Sequence, residues 1–233
     1  MTENINELFE EIKSSLSFLA ASGCQGFDCS DKSAKIISGW GEETISSDAA
    51  PDVSLDDIEK DIADCRRCRL SEKRKKIVFG SGSSSARLMF VGDWPNSYDN
   101  ETGKPFSGPV GGLFAKIIKA MGLDRDRIYA CAVVKCRPPA GRKALPNETE
   151  KCLPFLKRQI GFVKPDIICV MGSDAARALL KKDIPFSGLR GRFHDLNGIK
   201  VMPTYHPAHL MENPDKKRET WEDIKKIMEE RKR

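Results

Sequence analysis

Four cysteines in this 233-residue chain stand at spacings that suit ligation. Cys65 and Cys68 form a C-x2-C pair in DCRRC, Cys136 lies in KCRPP, and Cys152 follows in KCLPF, so the pattern is C-x2-C…C-x15-C. Thiolates in such a set bind zinc or an iron–sulfur cluster, and the spacing alone leaves both open. A site closed by four thiolates has no vacant position for a reacting water, so its expected role is structural. Cys24 and Cys29 have no partner pattern. The chain has eight cysteines, and a cytoplasmic setting favours ligation or burial over disulfides.

A second group of residues stands at the ends of apolar runs. ARLMFVG (86–92) runs into GDWP, RIYACAVV (127–134) into KCRPP, and Ile199–Pro203 into TYHP. The two prolines after Cys136 lack an N–H and stop further ladder pairing. If these runs are parallel strands, their carboxyl ends gather at one rim, where open α/β sheets place their sites. Asp93 and His206, one of only three histidines, then share that rim. Alone, Asp93 is compatible with capping a turn and His206 with bonding a loop carbonyl. Together, an acid and an imidazole at one rim point to catalysis.

The elements that must position these residues alternate. Ser54 precedes LDDIEKDIADC, a good helix start with acids in its first turn. After the 86–92 strand comes a loop rich in turn formers, 92–108, then an apolar-periodic helix at 111–121. The 127–134 strand is followed by a helix at 148–162 that carries Cys152. A strand at 166–172 leads into a helix at 174–180 capped by Ser173. A polar loop (187–198), the 199–203 strand and a helix from about Lys216 complete the chain. This alternation predicts an α/β fold, a three-layer αβα sandwich with a mainly parallel four-stranded sheet. Residues 1–54 are read as an acidic N-terminal helix (Asn6–Ala21) and flexible linker, and 55–233 as the folded domain.

Charge divides the chain in the same way. Residues 1–64 hold 4 Lys and Arg against 15 Asp and Glu; the remainder holds 35 against 19. A net of +16 on residues 65–233 suits a polyanion, because each phosphate contact releases counterions. The acidic start lacks the basic region of a signal peptide, and no apolar run approaches the ~18 residues of a membrane span. The expectation is a cytoplasmic protein with no membrane partner.

From about Asp57 to Lys226 the sequence resembles the iron–sulfur uracil-DNA glycosylases, family 4 of the uracil-DNA glycosylase superfamily. The resemblance rests on FVGDWPNSYDNETGKPFSG, VVKCRPP, the cysteine pattern, LRGRFHDLNGIKVMPTYHPAHLM and WEDIKK. It implies a uracil-DNA glycosylase-like fold and a monomer that excises uracil, or another deaminated base, from DNA during base excision repair. It also implies a [4Fe–4S] cluster on Cys65, Cys68, Cys136 and Cys152, with zinc the alternative. By resemblance, His206 stabilises the departing base, Asp93 orients water or stabilises the sugar cation, and Phe106 stacks on the flipped base. Asp99 takes the place of a glutamate that helps exclude thymine. Pro207 and Leu210 would press on the DNA, and Arg190 and Arg192 would contact phosphates.

The chain also departs from that pattern. GDWPN stands where relatives read GE-x-PG, which shortens the acid, puts Trp94 in place of a small residue and Asn96 in place of a glycine. Ala132 stands where relatives have the asparagine that reads the uracil edge, and Glu212 where an arginine follows the HP pair. Trp94 and Ala132 are therefore expected to reshape the base pocket. The alternative function is a non-catalytic DNA-binding or damage-sensing relative that keeps the fold and the cluster.

Overall fold

The computed structural model describes residues 54–182 and 184–232. The acidic helix and linker expected within residues 1–53 lie outside the described residues. The first helix, α1 (Leu55–Ala63), begins where Ser54 and Asp57 form a capping box, each side chain bonding the other's backbone N–H. Ile58 and Ile62 on its buried face pack against Phe79 and Phe155.

The remaining elements are β1 (Ser81–Gly82), β2 (Leu88–Gly92), α2 (Ser97–Thr102), α3 (Gly108–Ala120), β3 (Tyr129–Ala132), α4 (Pro146–Val163), β4 (Ile167–Met171), α5 (Ser173–Leu180), α6 (Phe186–Leu189), β5 (His194–Leu196), β6 (Ile199–Thr204), α7 (Pro207–Glu212) and α8 (Lys217–Glu230). The sheet has six strands in the order β1-β3-β2-β4-β6-β5. Its four central strands are parallel, as expected, and β1 and β5 add antiparallel edges. β5 falls in the stretch read as a polar loop; a strand of three residues leaves too little alternation to detect. β2 and β4 are buried at every position on both faces, which accounts for their continuous apolar runs.

The period-2 alternation of the strands sorts the core into two layers. Met89, Val91, Cys131, Ile168, Val170 and Val201 face Leu156 and Ile160 of α4 and Ala175 and Leu179 of α5. Leu88, Phe90, Ala130, Cys169 and Met202 face Phe114 and Ile118 of α3 and Ile224 and Ile227 of α8. Each fully buried Leu, Ile or Phe contributes roughly 1.5–3 kcal/mol. No helix among the described residues is long and apolar enough to cross a membrane.

Beyond the apolar layers, α8 is tied to the sheet by a buried charge pair. The Arg190 guanidinium donates to both carboxylate oxygens of Asp223 at 3.0 and 2.9 Å and to Glu219 at 2.9 Å. Asp223 also accepts from the Thr204 hydroxyl at 2.7 Å. Arg190 therefore faces inward, and the expected phosphate contact is corrected to a fold-holding one; Arg192, two residues on, is exposed. Removing one partner of a buried pair leaves the other charge uncompensated. Arg190→Ala should cost about 3–5 kcal/mol in urea unfolding, and the exposed Arg192→Ala less than about 0.5 kcal/mol.

Candidate active-site crevice and cysteine cavity

The parallel register sets the site. Gly92 of β2 pairs with Ala132 of β3 and Met171 of β4, and Met171 pairs with Thr204 of β6. The residues that follow, Asp93, Gly172 and Tyr205–His206, leave the sheet side by side. They open onto a crevice of about 390 Å³, whose walls include Asp93, Trp94, Lys143, Asp174, Tyr205, His206 and His209.

His206 caps α7 through its ring: Nδ1 accepts the Ala208 N–H at 3.1 Å. A nitrogen that accepts must be unprotonated, so in the neutral ring the proton sits on Nε2. Burial drives the His206 pKa down to about 4, which keeps the ring neutral near pH 7. Nε2 lies next to Gly92, where a Cβ would come within 3.3 Å of it and 3.1 Å of the Phe106 ring. A side chain at 92 would require the Phe106 or His206 ring to give way by a few tenths of an ångström. Phe106 stacks on Phe114 with centroids 4.3 Å apart and lies near-parallel to the His206 ring at 5.7 Å.

Asp93 is held by the amino end of α5. One carboxylate oxygen accepts the Ala175 N–H at 2.6 Å. The sequence suggested Ser173 as the cap of this helix, but Ser173 is its first residue and Gly172 is the N-cap, with no side chain to offer. Asp93 supplies the missing acceptor from β2. Gly172 has φ +123°, and a Cβ there would meet the Asp93 carboxylate at 2.0 Å, so only glycine fits. Burial raises the Asp93 pKa to about 7; the N–H bond and Lys143 oppose that rise, and the Asp174 carboxylate adds to it. Lys143 spans to Asp174 at 3.2 Å.

The structure thus brings Asp93, Trp94 and His206 to one crevice, and several expected residues elsewhere. Trp94 packs partly into the core and lines the crevice without closing it. Phe106 and Ala132 are buried behind the wall. Asp99 accepts from the N–H groups of Asn96 and Ser107 at 2.9 and 2.6 Å, so it braces the 96–107 segment. Leu210 and Pro207, expected against DNA, are buried on the inner face of α7, and that expectation is corrected. Met211 is the exposed apolar residue of that helix. Sequence reasoning missed Lys143, Tyr205 and His209. Tyr205 and His209 stack at 5.1 Å, but Tyr205 precedes α7, so helical spacing gave no signal of the pair. Lys143 sits within a loop without any local signal.

Cys65, Cys68, Cys136 and Cys152 line a second, small cavity. None of the four forms a disulfide. Arg74 donates to Cys136 Sγ at 3.6 Å, and the Lys135 N–H to Cys152 Sγ at 3.3 Å. Among the described residues no three ligand atoms converge as a single metal ion requires. A zinc ion draws its thiolates to ~2.3 Å. Such a set of thiols could hold a zinc ion or an iron–sulfur cluster.

Comparison with known proteins places these features in a family. Residues 79–225 match the family profile described as the uracil DNA glycosylase superfamily. The chain is 35% identical to a type-4 uracil-DNA glycosylase of Archaeoglobus fulgidus, over 76% of this chain and 92% of that protein. It is 37% identical to a type-4 uracil-DNA glycosylase of Sulfurisphaera tokodaii, over 76% of this chain and 84% of the relative. It is also 28% identical to 16% of a DNA polymerase of Bacillus phage SP01, over 62% of this chain.

The Asp93 geometry has a measurable consequence. Its folded pKa lies above the unfolded value of 3.8, so the folded state binds the extra proton between pH 4 and 7. Stability contributed by protonated Asp93 is full below about pH 4 and is lost as pH rises to about 7. Chemical denaturation across this range should show that decline in the wild type and a shallower one in Asp93→Asn. Equal slopes would mean that Asp93 is not desolvated.

Proposed function

The chain belongs to the uracil DNA glycosylase superfamily, and from that membership we propose that it flips uracil out of DNA and hydrolyses its N-glycosidic bond. The observation that carries the reading is the fixed tautomer of His206 at the crevice. Cleavage builds negative charge on the departing base and positive charge on the sugar. A neutral Nε2–H directed at the base oxygen stabilises the first without having to lose its own proton. The ionised Asp93 carboxylate, opposite in sign to the sugar cation, stabilises the second or orients the attacking water.

The other residues support this chemistry. Phe106 braces the His206 ring from within the core, and Asp99 holds the segment between Asn96 and Phe106. Trp94 and Tyr205 give the crevice aromatic walls for a flipped base. Exposed Arg192 and the crevice cation Lys143 are suited to flanking phosphates. The four cysteines would hold a [4Fe–4S] cluster that ties α1 and the 137–151 segment to the domain. Proteins that act on DNA by this chemistry need no second subunit, and a monomer is proposed.

Uracil excision from a single- or double-stranded oligonucleotide, read by alkaline cleavage at abasic sites, tests the reading. His206→Ala should lower turnover on the order of 10²–10³-fold. The single-turnover rate should rise with pH through about 7, as Asp93 ionises, and then level off. His206, neutral above about pH 4, should add no further limb in that range. Wild-type rates in His206→Ala would make the histidine structural.

Ala132 supplies the second test. Its methyl cannot hydrogen-bond a base, and an unread buried edge costs ~1–3 kcal/mol per group. Ala132→Asn, placed beside Gly92 in the sheet, should raise uracil excision by roughly ten- to a hundredfold. A loss of excision instead would mean that the base lies elsewhere in the crevice.

A further inference from the structure

The segment that follows the first cysteine pair carries a charge imbalance that neither base excision nor thiol ligation uses. Residues 66–76 (RRCRLSEKRKK) hold seven Lys and Arg against one acid, Glu72. Three of the seven are engaged with the fold. Arg67 lies over the Phe155 ring at 4.6 Å, Arg74 donates to the Cys65 carbonyl at 2.7 Å, and Lys75 pairs with Glu101. The side chains of Arg66, Arg69, Lys73 and Lys76 are exposed, and none forms an ion pair or hydrogen bond with another described residue. By contrast, α8 holds four Lys and Arg against five Asp and Glu, and its Lys225 pairs with Glu222. Like charges crowded onto one short segment repel unless a polyanion meets them.

Contacts at both ends of the segment place it on the rim that bears the crevice. Its amino end shares the cysteine cavity with Cys136, where the chain leaves β3 towards Lys143. At its carboxyl end, the Lys75 N–H donates at 3.0 Å to Asn100 Oδ1 of α2, the helix that follows Asn96 of the crevice wall. The Val78 N–H then bonds the Lys135 carbonyl at 2.8 Å, just past the end of β3. In the sheet β3 lies outside β2, β4 and β6, whose ends open onto the crevice. The basic segment therefore flanks the crevice on its β3 side.

Composition selects the partner. Every exposed residue from 66 to 76 is charged, and Leu70 is buried. A protein-docking surface has an apolar or aromatic centre, which is lacking here, whereas phosphate contacts need only cations within reach. We infer that this segment is a second DNA-contact surface, which holds backbone phosphates flanking the flipped nucleotide on the β3 side of the crevice. The inference rests on the reading of the crevice as a DNA site and adds to it a footprint that extends to one side.

The test is binding of an undamaged duplex by the full chain, followed by fluorescence anisotropy over a range of salt. Wild type is compared with the triple variant Arg69→Gln/Lys73→Gln/Lys76→Gln. The control, Lys116→Gln/Lys119→Gln/Arg127→Gln, removes as many exposed cations from α3 and the amino end of β3. Each phosphate contact contributes about 0.9 to the slope of log affinity against log salt, so the first variant should lose about 2–3 of slope and bind several-fold more weakly. The control should keep the wild-type slope; equal losses in both variants would show that net charge alone acts and would overturn the inference. Circular dichroism checks the fold. If the triple variant is unfolded, Lys73→Gln/Lys76→Gln, which leaves the neighbours of Cys68 unchanged, should lose about 1–2 of slope. On a duplex with a stable abasic analogue, hydroxyl-radical protection should reach further to one side of the analogue and retract on that side in the variant; symmetric protection would overturn the inference. A wild-type slope in the variant, with polyglutamate binding weakened instead, would assign the surface to an acidic polypeptide and also overturn it. A reduced slope in the variant, with no uracil excision by wild type, would support this surface and remove the excision reading. Excision by wild type with unshifted slopes would remove the surface alone.

Discussion

Ala132, Gly92, Met171 and Thr204 lie in one row across four parallel strands, and the site depends on that register. Beyond the row the ladder continues for a step: Val133 N–H bonds the Gly92 carbonyl, and Gly172 N–H bonds that of Thr204. Parallel register is strongly specified when both faces are buried, because a slip of one residue exchanges the two core layers. A slip in β2 would expose Phe90 to the α4 side and turn Met89 towards α3. It would also move Asp93 away from the amino end of α5. The apolar core and the Asp93–His206 pair are therefore fixed by one constraint.

That dependence explains which parts were legible in the sequence. The strands were readable because continuous apolar runs ending in turn formers admit few other interpretations, and the rim residues followed from their ends. Chemistry set by distant partners was not. Arg190 reads as a free cation in a basic loop, yet its partners Glu219 and Asp223 arrive from α8, some thirty residues later. Leu210 and Pro207 follow a motif associated with DNA contact, and their burial is decided by which side of a six-residue helix meets the core. Asp93 was open between a cap and a catalyst, and the structure makes it a cap whose carboxylate also reaches the crevice. Phe106 was assigned to a base, whereas its ring is held between core and histidine neighbours.

The two halves of the carboxyl rim carry opposite electrostatic problems. At the crevice, burial suppresses charge: His206 stays neutral and Asp93 titrates near 7. A site in that condition can respond to charge that develops only as the glycosidic bond breaks, which is where differential stabilisation counts. At the cysteine cavity the sulfurs instead meet donors: the Lys135 backbone N–H at Cys152 and the Arg74 guanidinium at Cys136.

These two regions are connected by the chain between Cys136 and Cys152. That segment carries Lys143 to the crevice, where it meets Asp174 and moderates the Asp93 carboxyl. Within it, Arg142 and Glu148 form a two-pronged pair at 2.7 and 2.8 Å, and Glu148 also accepts the Leu145 N–H at the start of α4. Glu148 is buried, so the pair fixes the outgoing end of the loop. The incoming end has Cys136, and thiolate ligation there and at Cys152 would close both ends on one rigid group. Closing a loop of this length against a fixed anchor removes entropy that the loop would otherwise lose on binding DNA. A group bound by these thiols would not have to touch a substrate to affect the crevice, because it would hold the loop that carries Lys143.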